Sequence, residues 1–266
     1  MSILHRLLER FPHTKRLLKY LLRALHLRTD ASSHYVQLHE GEAGQEAGRL
    51  RTAWQMQALP ARQRELVDVQ LRAYRCGEPV DVFDVLVNAF KSLPETVRGM
   101  SVLEVGCSSG FYSEVLDIAG LDVAYTGCDY SEAFIDMARQ KYSALRFDVE
   151  DATGLKYGPE SFDIVISGCC LLHIPEYQSA VAEAARVARH YVIFHRTPVV
   201  LGQPNVYFRK LAYGVETIEI HFNEPDFLAL LDQHGLELIA AYTLDESVRH
   251  GVGSANRTYV CRKSPQ

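Results

Sequence analysis

Long apolar runs and paired cysteine motifs are both missing from this sequence of 266 residues. No stretch reaches the roughly 18–20 apolar residues that cross a bilayer, and the N-terminus lacks the layout of a signal peptide. The six cysteines include no C-x-x-C pair and no zinc-like spacing, so we expect no metal site and a reducing, cytoplasmic location. A hydrophobic content of 47% and a charged content of 23% are ordinary for a globular protein.

Net charge is unevenly distributed along the chain. The first 28 residues hold seven Lys or Arg residues against the single acid Glu9, whereas the net charge of the whole chain is −5. The remaining residues are therefore acidic, with a net charge of about −11, which disfavours binding of a polyanion. We expect no nucleic-acid substrate.

The N-terminal third is predicted to be largely helical. Within residues 1–28, leucines recur at helical spacing beside basic residues, which fits either a helix packed on the protein or peripheral contact with an anionic membrane. Residues 29–48 are polar and contain glycine, which indicates a linker, and helical periodicity resumes over 49–75 and 80–92. We assign residues 1–94 to an N-terminal helical extension or cap.

After Pro94 strands alternate with helices, the pattern of a parallel sheet built from βαβ units. This predicts an α/β fold over residues 95–266: a doubly wound, seven-stranded, mostly parallel, Rossmann-like sheet with a substrate-side insert at about 197–222. The predicted strands are Ser101–Val105, Asp122–Cys128, Leu145–Phe147, Phe162–Ser167, Tyr191–His195, Leu236–Tyr242 and Thr258–Arg262. The predicted helices are 110–119, one capped by Ser131 that ends near Tyr142, one opened by Pro175, and one from Asn223 to His234.

The first predicted strand runs into a glycine turn that opens a helix. Glu104 is followed by Gly106 and Gly110, an acidic-x-Gly-x-x-x-Gly pattern rather than Gly-x-Gly-x-x-Gly. Because glycine has no Cβ, the backbone of such a turn can approach a nucleotide-like ligand closely. Two further acids, Asp129 and Asp151, follow the second and third strands. Parallel strands share one carboxyl edge, so we expect all three acids there, with Asp129 offering two oxygens to two ribose hydroxyls.

These residues resemble the class I methyltransferases that use S-adenosylmethionine (SAM), of the methyltransferase-11 type. The resemblance covers about residues 95–245, and residues 1–94 match no recognised motif. It continues, in the family's order and spacing, through Asp151-Ala152-x-x-Leu155, Ser161-Phe162-Asp163-Ile164-Val165, Leu171-Leu172-His173-Ile174, Glu183-Ala184-x-Arg186-Val187 and Glu224-x-x-x-Phe227-x-x-x-Leu231.

The resemblance implies a cofactor site on the same edge of the sheet. It assigns ten residues to SAM: Glu104, Gly106, Cys107 and Gly110 at the methionine end, Asp129 at the ribose, Tyr130, Asp151 and Ala152 at the adenine, and Ser167 and Gly168 beside the sulfonium methyl. Cys107 and Ser108-Ser109 stand where the family often has a further glycine, which would stiffen the turn.

The acceptor side is defined by fewer residues. His173, just past the fourth strand, could serve as a general base near neutral pH or could simply pack at a helix start. The insert is rich in aromatic and basic side chains and could be either a substrate wall or a structural hairpin. The candidate substrate-binding residues are His195, Arg196, Tyr207 and Tyr213. Trp54, Arg51 and Arg64 could close over the cofactor or could belong to a helix core and solvated helix faces.

The leading hypothesis is a SAM-dependent methyltransferase that yields S-adenosylhomocysteine (SAH) and methylates a small-molecule, glycan or lipid-linked acceptor. One alternative is a regulatory or assembly protein that binds SAM without catalysis. The other is an NAD(P)-dependent oxidoreductase, which would favour Gly-x-Gly-x-x-Gly in the first turn, a pattern that Cys107 and Ser108 interrupt.

Overall fold

The alternation of strands and helices produces one mixed sheet flanked by helices in the computed structural model, which describes residues 32–264. The ten strands of this part of the chain are β1 (Ser32–Leu38), β2 (Ser101–Val105), β3 (Ala124–Asp129), β4 (Arg146–Val149), β5 (Phe162–Gly168), β6 (Ala188–Val200), β7 (Val206–Ala212), β8 (Val215–Asn223), β9 (Leu236–Arg249) and β10 (Val252–Lys263). Its seven α-helices are α1 (Glu40–Thr52), α2 (Leu59–Arg75), α3 (Asp81–Lys91), α4 (Phe111–Ile118), α5 (Glu132–Lys141), α6 (Tyr177–Val187) and α7 (Glu224–Gln233). Two short 3₁₀ helices cover Ala53–Gln55 and Leu171–His173.

Seven strands form the central sheet in the order β4-β3-β2-β5-β6-β10-β9. All run parallel except β10, which is antiparallel to both β6 and β9. The doubly wound, seven-stranded, mostly parallel fold predicted from the sequence is therefore confirmed. The chain moves outward from β2 through β3 to β4, then returns to β5 and continues to β6. The strand order thus reverses between β2 and β5, the point where α/β sheets bind ligands.

Alternate residues of the central strands pack on opposite faces of the sheet. Leu103, Val105 and Val165 belong to the buried cluster under α6 and α7. Val102 and Ile164 belong to a second cluster, formed with α3 and α4. This period-2 alternation in strands covered on both faces explains why apolar residues occupy consecutive positions in the middle of β2 and β5.

The remaining three strands form a small antiparallel sheet in the order β1-β7-β8, which we call the small sheet. Two residue pairs between β6 and β8, Val199 with Phe222 and Val200 with Asn223, join it to the central sheet. The insert predicted at about 197–222 is thus built around the β7–β8 hairpin.

The segment 29–48 differs from its predicted linker character, because it supplies β1 and much of α1. The partner of β1 is β7, more than 160 residues later in the chain, where Val36 pairs with Arg209. A short polar segment such as β1 forms a strand because it pairs with β7. The local sequence pattern carries no information about this distant partner.

Strand ends extend beyond the predicted limits wherever a long antiparallel partner is present. β6, β9 and β10 are all longer than expected because β10 pairs with β6 and with β9 along most of its length. The predicted start of the last helix holds, since the Asn223 side chain accepts a hydrogen bond from the backbone N–H of Asp226 at 2.9 Å.

The basic helical stripe and membrane contact predicted for residues 1–28 lie outside the described residues. Residues 32–264 fall within a single compact unit. Within them, α3 packs against the central sheet through Phe83 and Phe90. No helix in this range has the length and apolarity needed to span a bilayer. The division of the chain at residue 94 stays a prediction.

Candidate functional site

The carboxyl ends of β2, β3, β5 and β6 meet at one edge of the central sheet, and the backbone there is unusual. Besides glycines, three residues at this edge have positive φ: Ser108 at 48°, Cys169 at 57° and Arg196 at 59°. Such conformations cost free energy for residues that have a Cβ, and they concentrate at ligand sites. The strain therefore marks this edge as the candidate site.

The glycine turn after β2 is held close to its neighbours. The amides of Gly106 and Cys107 both donate to the carbonyl of Cys128, at 2.8 and 2.9 Å. Gly106 has a φ of 72°, and a Cβ placed on it would overlap the side chain of Cys170. Gly110 has a φ of 74° and lies against the Phe147 ring, which leaves 2.7 Å to a Cβ. Both positions therefore require glycine because of their positive φ and the side chains packed against them, and close approach to a ligand stays a prediction.

Cys107 differs from its neighbours in the turn because its side chain points into the core. Its side chain is fully buried, and its Sγ lies 2.8 Å from where a Cβ on Gly127 would stand. The thiol is therefore part of the core, so that only the backbone of Cys107 is available to a ligand. The left-handed conformation that the family often assigns to glycine is taken by Ser108 instead.

Asp129, at the end of β3, ties the glycine turn to the start of α5. Its Oδ2 accepts the backbone N–H of Ser108 at 3.0 Å, and its Oδ1 accepts that of Ser131 at 2.9 Å. Burial raises the pKa of Asp129 to about 6, against the opposing effect of these backbone hydrogen bonds. Each oxygen keeps a further lone pair, so the fixed carboxylate can still accept two hydroxyl groups.

Glu104 is more deeply buried, with 1% of its surface exposed. It accepts a hydrogen bond from the Tyr125 hydroxyl. Burial raises its pKa to about 8, and the nearby charge of Asp129 acts in the same direction. Glu104 is therefore mainly protonated at neutral pH and presents a neutral carboxyl group beneath the turn.

The β3–β4 side of the site is covered by Arg51 from α1. Its guanidinium pairs with Asp151 and lies 5.4 Å from the centre of the Tyr130 ring. The Tyr130 hydroxyl in turn donates to the Arg51 carbonyl at 2.5 Å. Asp151 also accepts the amide and hydroxyl of Thr153, at 2.9 and 2.8 Å. Burial would raise the pKa of Asp151, but Thr153 and Arg51 outweigh it and the pKa is lowered.

Tyr130, Asp151 and Ala152 are thus brought together, as the sequence predicts, with Ala152 directly after Asp151 in the same loop. Arg51 joins them from α1, so this N-terminal helix contributes a side chain to the edge of the central sheet.

Ser167 and Gly168 end β5 beside the glycine turn. Ser167 pairs in register with Val105 of β2, and Gly168 pairs with His195 of β6. A Cβ on Gly168 would lie 2.9 Å from the Tyr112 ring and 3.1 Å from Glu104 Oε1. Gly168 therefore lets these two side chains pack closely against the end of β5.

His173 lies across from this point, in the 3₁₀ turn after β5. Its Nδ1 is 2.5 Å from the carbonyl of Ile218, which fixes a proton on Nδ1, and its ring centre is 4.7 Å from that of Trp54. Burial, reinforced by the charge of Lys210, lowers the pKa of His173 to about 3. The imidazole is therefore neutral at physiological pH and is a weak base.

The four candidate acceptor residues divide into two groups. His195 is buried in the core, where Nδ1 lies 2.8 Å from Thr258 Oγ1 and the ring contacts Tyr112. Tyr207 packs against Leu38 and Ile218, on the side of the small sheet that faces α1. His195 is thus closed off from solvent, whereas Tyr207 is half-buried and also packs against the core cluster under α6 and α7.

Tyr213 and Arg196, by contrast, lie on the acceptor side. The Tyr213 ring is at the β7–β8 turn, 6.4 Å from the ring of Trp54. The positive charge of Arg196 lowers the pKa of both Tyr213 and Tyr112, although burial raises each pKa overall. These three side chains and Trp54 therefore form the wall beyond Gly168, which we call the acceptor compartment.

Sequence reasoning missed a buried charge network on the small sheet. Lys210 pairs with Glu219 Oε2, and Glu219 Oε1 lies 2.7 Å from His221 Nε2. Lys210 and His221 outweigh the effect of burial and hold the pKa of Glu219 well below its usual range. The available signal was the alternation of β7, which places Lys210 on the same face as Val206 and Phe208.

Comparisons with known proteins agree with this geometry. The family profile described as Methyltransferase domain (Methyltransf_11) matches residues 103–194. A ubiquinone biosynthesis O-methyltransferase of Coxiella burnetii is 33% identical over 98 residues, which cover 35% of this chain and 41% of that protein. The chain thus aligns with about two fifths of the length of these first curated relatives.

Two solved structures share the fold at low identity. The 1,6-didemethyltoxoflavin-N1-methyltransferase of Burkholderia thailandensis, solved with SAH, has a TM-score of 0.60 at 16% identity, and the match covers 90% of this chain and 99% of that one. The [4+2]-cyclase SpnF has a TM-score of 0.51 at 16% identity, covering 74% of this chain and 93% of that one. At these identities the likeness shows the fold alone.

Proposed function

We propose that this chain, which belongs to the class I methyltransferase family, binds SAM and transfers its methyl group to a small-molecule acceptor. The observation that carries the proposal is the carboxylate of Asp129, which the amides of Ser108 and Ser131 fix at the end of β3, beside the positive-φ turn after β2. A nucleoside needs a rigid carboxylate acceptor of this kind together with close backbone approach.

The residues at this edge fit the parts of SAM in the order in which the strands present them. Asp129 would hold the ribose hydroxyls, Tyr130 and the Asp151–Ala152 loop would face the adenine, and the turn from Gly106 to Gly110 would frame the methionine end. The protonated carboxyl of Glu104 supports the turn from below. The cofactor supplies an electrophilic methyl group on sulfur, so the protein has to bind and orient both reactants.

His173 is the candidate general base of this proposal. Its Nε2 carries the lone pair, because Nδ1 faces the Ile218 carbonyl. With a pKa of about 3, His173 can take a proton only from an acceptor group that is already easily ionised. The role therefore suits an acidic nucleophile better than an alcohol or an amine.

A SAM-binding protein without methyl transfer is the second candidate function. The fold is shared with a protein named as a [4+2]-cyclase, so the sheet and its glycine turn do not fix the reaction. A glycan or lipid-linked acceptor, and membrane contact through residues 1–28, stay predictions from the sequence.

The cofactor part of the proposal is tested by calorimetry with SAM, SAH and NADH. We expect SAM and SAH to bind and NADH not to bind. Asp129→Asn should weaken SAM by about 1–3 kcal/mol, because one charged acceptor is lost. Asp117→Asn on the exposed face of α4 is the matched control and should bind like the wild type. Binding of NADH in place of SAM, or equal SAM affinity in both variants, would refute the assignment.

Transfer itself is tested by incubating the chain with methyl-labelled SAM and fractionated metabolites. Label should pass to a small-molecule fraction, and the Asp129→Asn variant should transfer less. Tight SAM binding with no labelled product in any fraction would favour the non-catalytic alternative.

A further inference from the structure

Buried cations in this structure are neutralised by carboxylates. Lys210 pairs with Glu219, and Arg64 pairs with Asp68 at 2.6 Å and with Glu114 at 3.5 Å. Such pairing is expected, because an isolated charge in the interior costs several kcal/mol.

Arg196, a half-buried side chain, differs from these cations. Among residues 32–264, no Asp or Glu oxygen forms an ion pair with its guanidinium, and its Nε atom is buried without a hydrogen-bond acceptor. Its nearest polar neighbours are the thiol of Cys169 and the hydroxyl groups of Tyr112 and Tyr213. Within the described part of the chain, no carboxylate therefore neutralises Arg196.

The backbone holds Arg196 at the acceptor end of the site. Its φ of 59° lies in the left-handed region, and the register of β6 with β10 shifts beside it. The amide of Cys169 donates to the carbonyl of His195 at 2.8 Å, which fixes the end of β5 against β6 at this point. Gly168, the last residue of β5, precedes this contact directly. A strained backbone position thus directs a cation toward the acceptor compartment.

A second unpaired donor lies in the same compartment. The indole Nε1 of Trp54 is buried with no hydrogen-bond acceptor, while its ring contacts His173 and Tyr213. Indole and guanidinium N–H groups can only donate. A neutral apolar acceptor would leave both unsatisfied, whereas a ligand rich in oxygen lone pairs would satisfy them.

We propose that Arg196 binds an anionic oxygen of the methyl acceptor, which is a small planar acid seated among Trp54, Tyr112 and Tyr213. This deepens the proposed function and rests on it for the methyl transfer. Lys210 is not the anion site, because Glu219 already neutralises it. An acceptor oxygen that arrives ionised needs no strong base, which agrees with the weak basicity of His173.

The test is a binding titration of the full chain with benzoate and with its neutral analogue benzamide, in the presence and absence of SAH. Benzoate should bind the wild type at least tenfold more tightly than benzamide. Arg196→Gln should remove this preference, and Arg196→Lys should keep part of it, because a lysine retains the charge without the planar fork. The control Arg98→Gln, at a side chain that is 83% exposed, should behave like the wild type.

Equal binding of benzoate to the wild type and Arg196→Gln would overturn the proposal, and so would a wild type that does not distinguish benzoate from benzamide. SAH affinity, measured in the same titrations, should be unchanged by both Arg196 variants. Absence of SAH binding in the wild type would instead overturn the proposed function. A preference for benzoate that depends on Arg196 would still show an anion site at this position.

Thermal unfolding separates a binding arginine from a structural one. Removing a half-buried cation that no described carboxylate neutralises should leave the midpoint of Arg196→Gln equal to or above that of the wild type. A lower midpoint for both Arg196→Gln and Arg196→Lys would show that the side chain holds the fold together, and would overturn the proposal.

Discussion

The three acids at the edge of the central sheet have different charge states, although all follow neighbouring strands. Burial raises the pKa of Glu104 to about 8 and that of Asp129 to about 6, whereas Thr153 and Arg51 lower the pKa of Asp151. At neutral pH the site therefore holds one neutral carboxyl group and two carboxylates. The neutral one lies under the glycine turn, and the two charged ones lie where ribose and adenine are proposed to bind.

Glu104 should make the stability of the protein depend on pH. Its pKa is about 8 in the folded protein and about 4.5 when unfolded, so the folded state keeps a proton that the unfolded state releases between these values. The stabilisation from Glu104 is complete below pH 4.5 and is lost as the pH rises through 8. Relative to Glu104→Gln, the wild type should therefore lose roughly 3–5 kcal/mol of unfolding free energy across this window.

Urea unfolding of the wild type and Glu104→Gln at several values between about pH 4.5 and 8.5 measures this difference. Glu237→Gln, at a side chain that is 63% exposed on β9, is the control and should follow the wild type. Parallel curves for the wild type and Glu104→Gln would show that Glu104 is already ionised in the folded protein.

Single residues were predictable from the sequence where the backbone determines their place. Gly106 and Asp129 lie as expected because a strand end and a tight turn fix them. The burial of the Cys107 and His195 side chains was not predictable, because it depends on neighbours that are distant in the sequence. The Cys107 thiol packs close to Gly127. His195 follows the alternation of β6 and contacts Tyr112 in the core.

Helix α1 shows how an element of the extension becomes part of the site. Its Arg51 binds Asp151, lies 3.7 Å from Glu176 and covers the ring of Tyr130. The side chain is 29% exposed, so its ion pairs are less screened than those on the open surface. Arg51 therefore fastens the end of α1 to the loops after β3 and β4.

Arg51→Ala should loosen this end of α1. The loss of a charge-assisted contact should raise amide exchange in residues 44–55 by roughly tenfold, equivalent to about 1.4 kcal/mol. Hydrogen–deuterium exchange with mass spectrometry measures the rate. Arg49→Ala is the control, because Arg49 pairs with Glu46 and Glu216 but is 56% exposed. Equal effects of the two variants would mean that Arg51 is an ordinary surface residue.

Elements with local patterns were predictable, and those with distant partners were not. The helices of the central fold show their own periodicity and caps, such as Asn223 at α7. β1 does not, because its seven residues gain most of their hydrogen bonds from β7. The Lys210–Glu219 pair was not predicted for the same reason, because its burial depends on which faces of β7 and β8 point toward the core.

On the scale of the whole molecule, two sheets of different kinds meet where β8 pairs with β6. The central sheet is mostly parallel, covered by helices on both faces and built by successive right-handed units. The small sheet is antiparallel, joins the central sheet through two residue pairs of β6 and β8, and carries a buried charge network. We therefore expect the small sheet to open at a lower free energy than the central one.

Breaking the charge network should widen that difference. Lys210→Met removes the cation that is paired with the buried carboxylate of Glu219, which should cost about 3–5 kcal/mol. In Lys210→Met combined with Glu219→Gln the cost should be smaller, because no carboxylate is buried and the introduced amide can still bond to His221. Native-state hydrogen exchange should show the loss mainly at amides of β7 and β8, with β2 and β5 little changed. If Lys210→Met lowers the protection of all four strands equally, the two sheets unfold as one unit. If the double variant is no more stable than Lys210→Met, the buried charge of Glu219 is not the source of the lost stability.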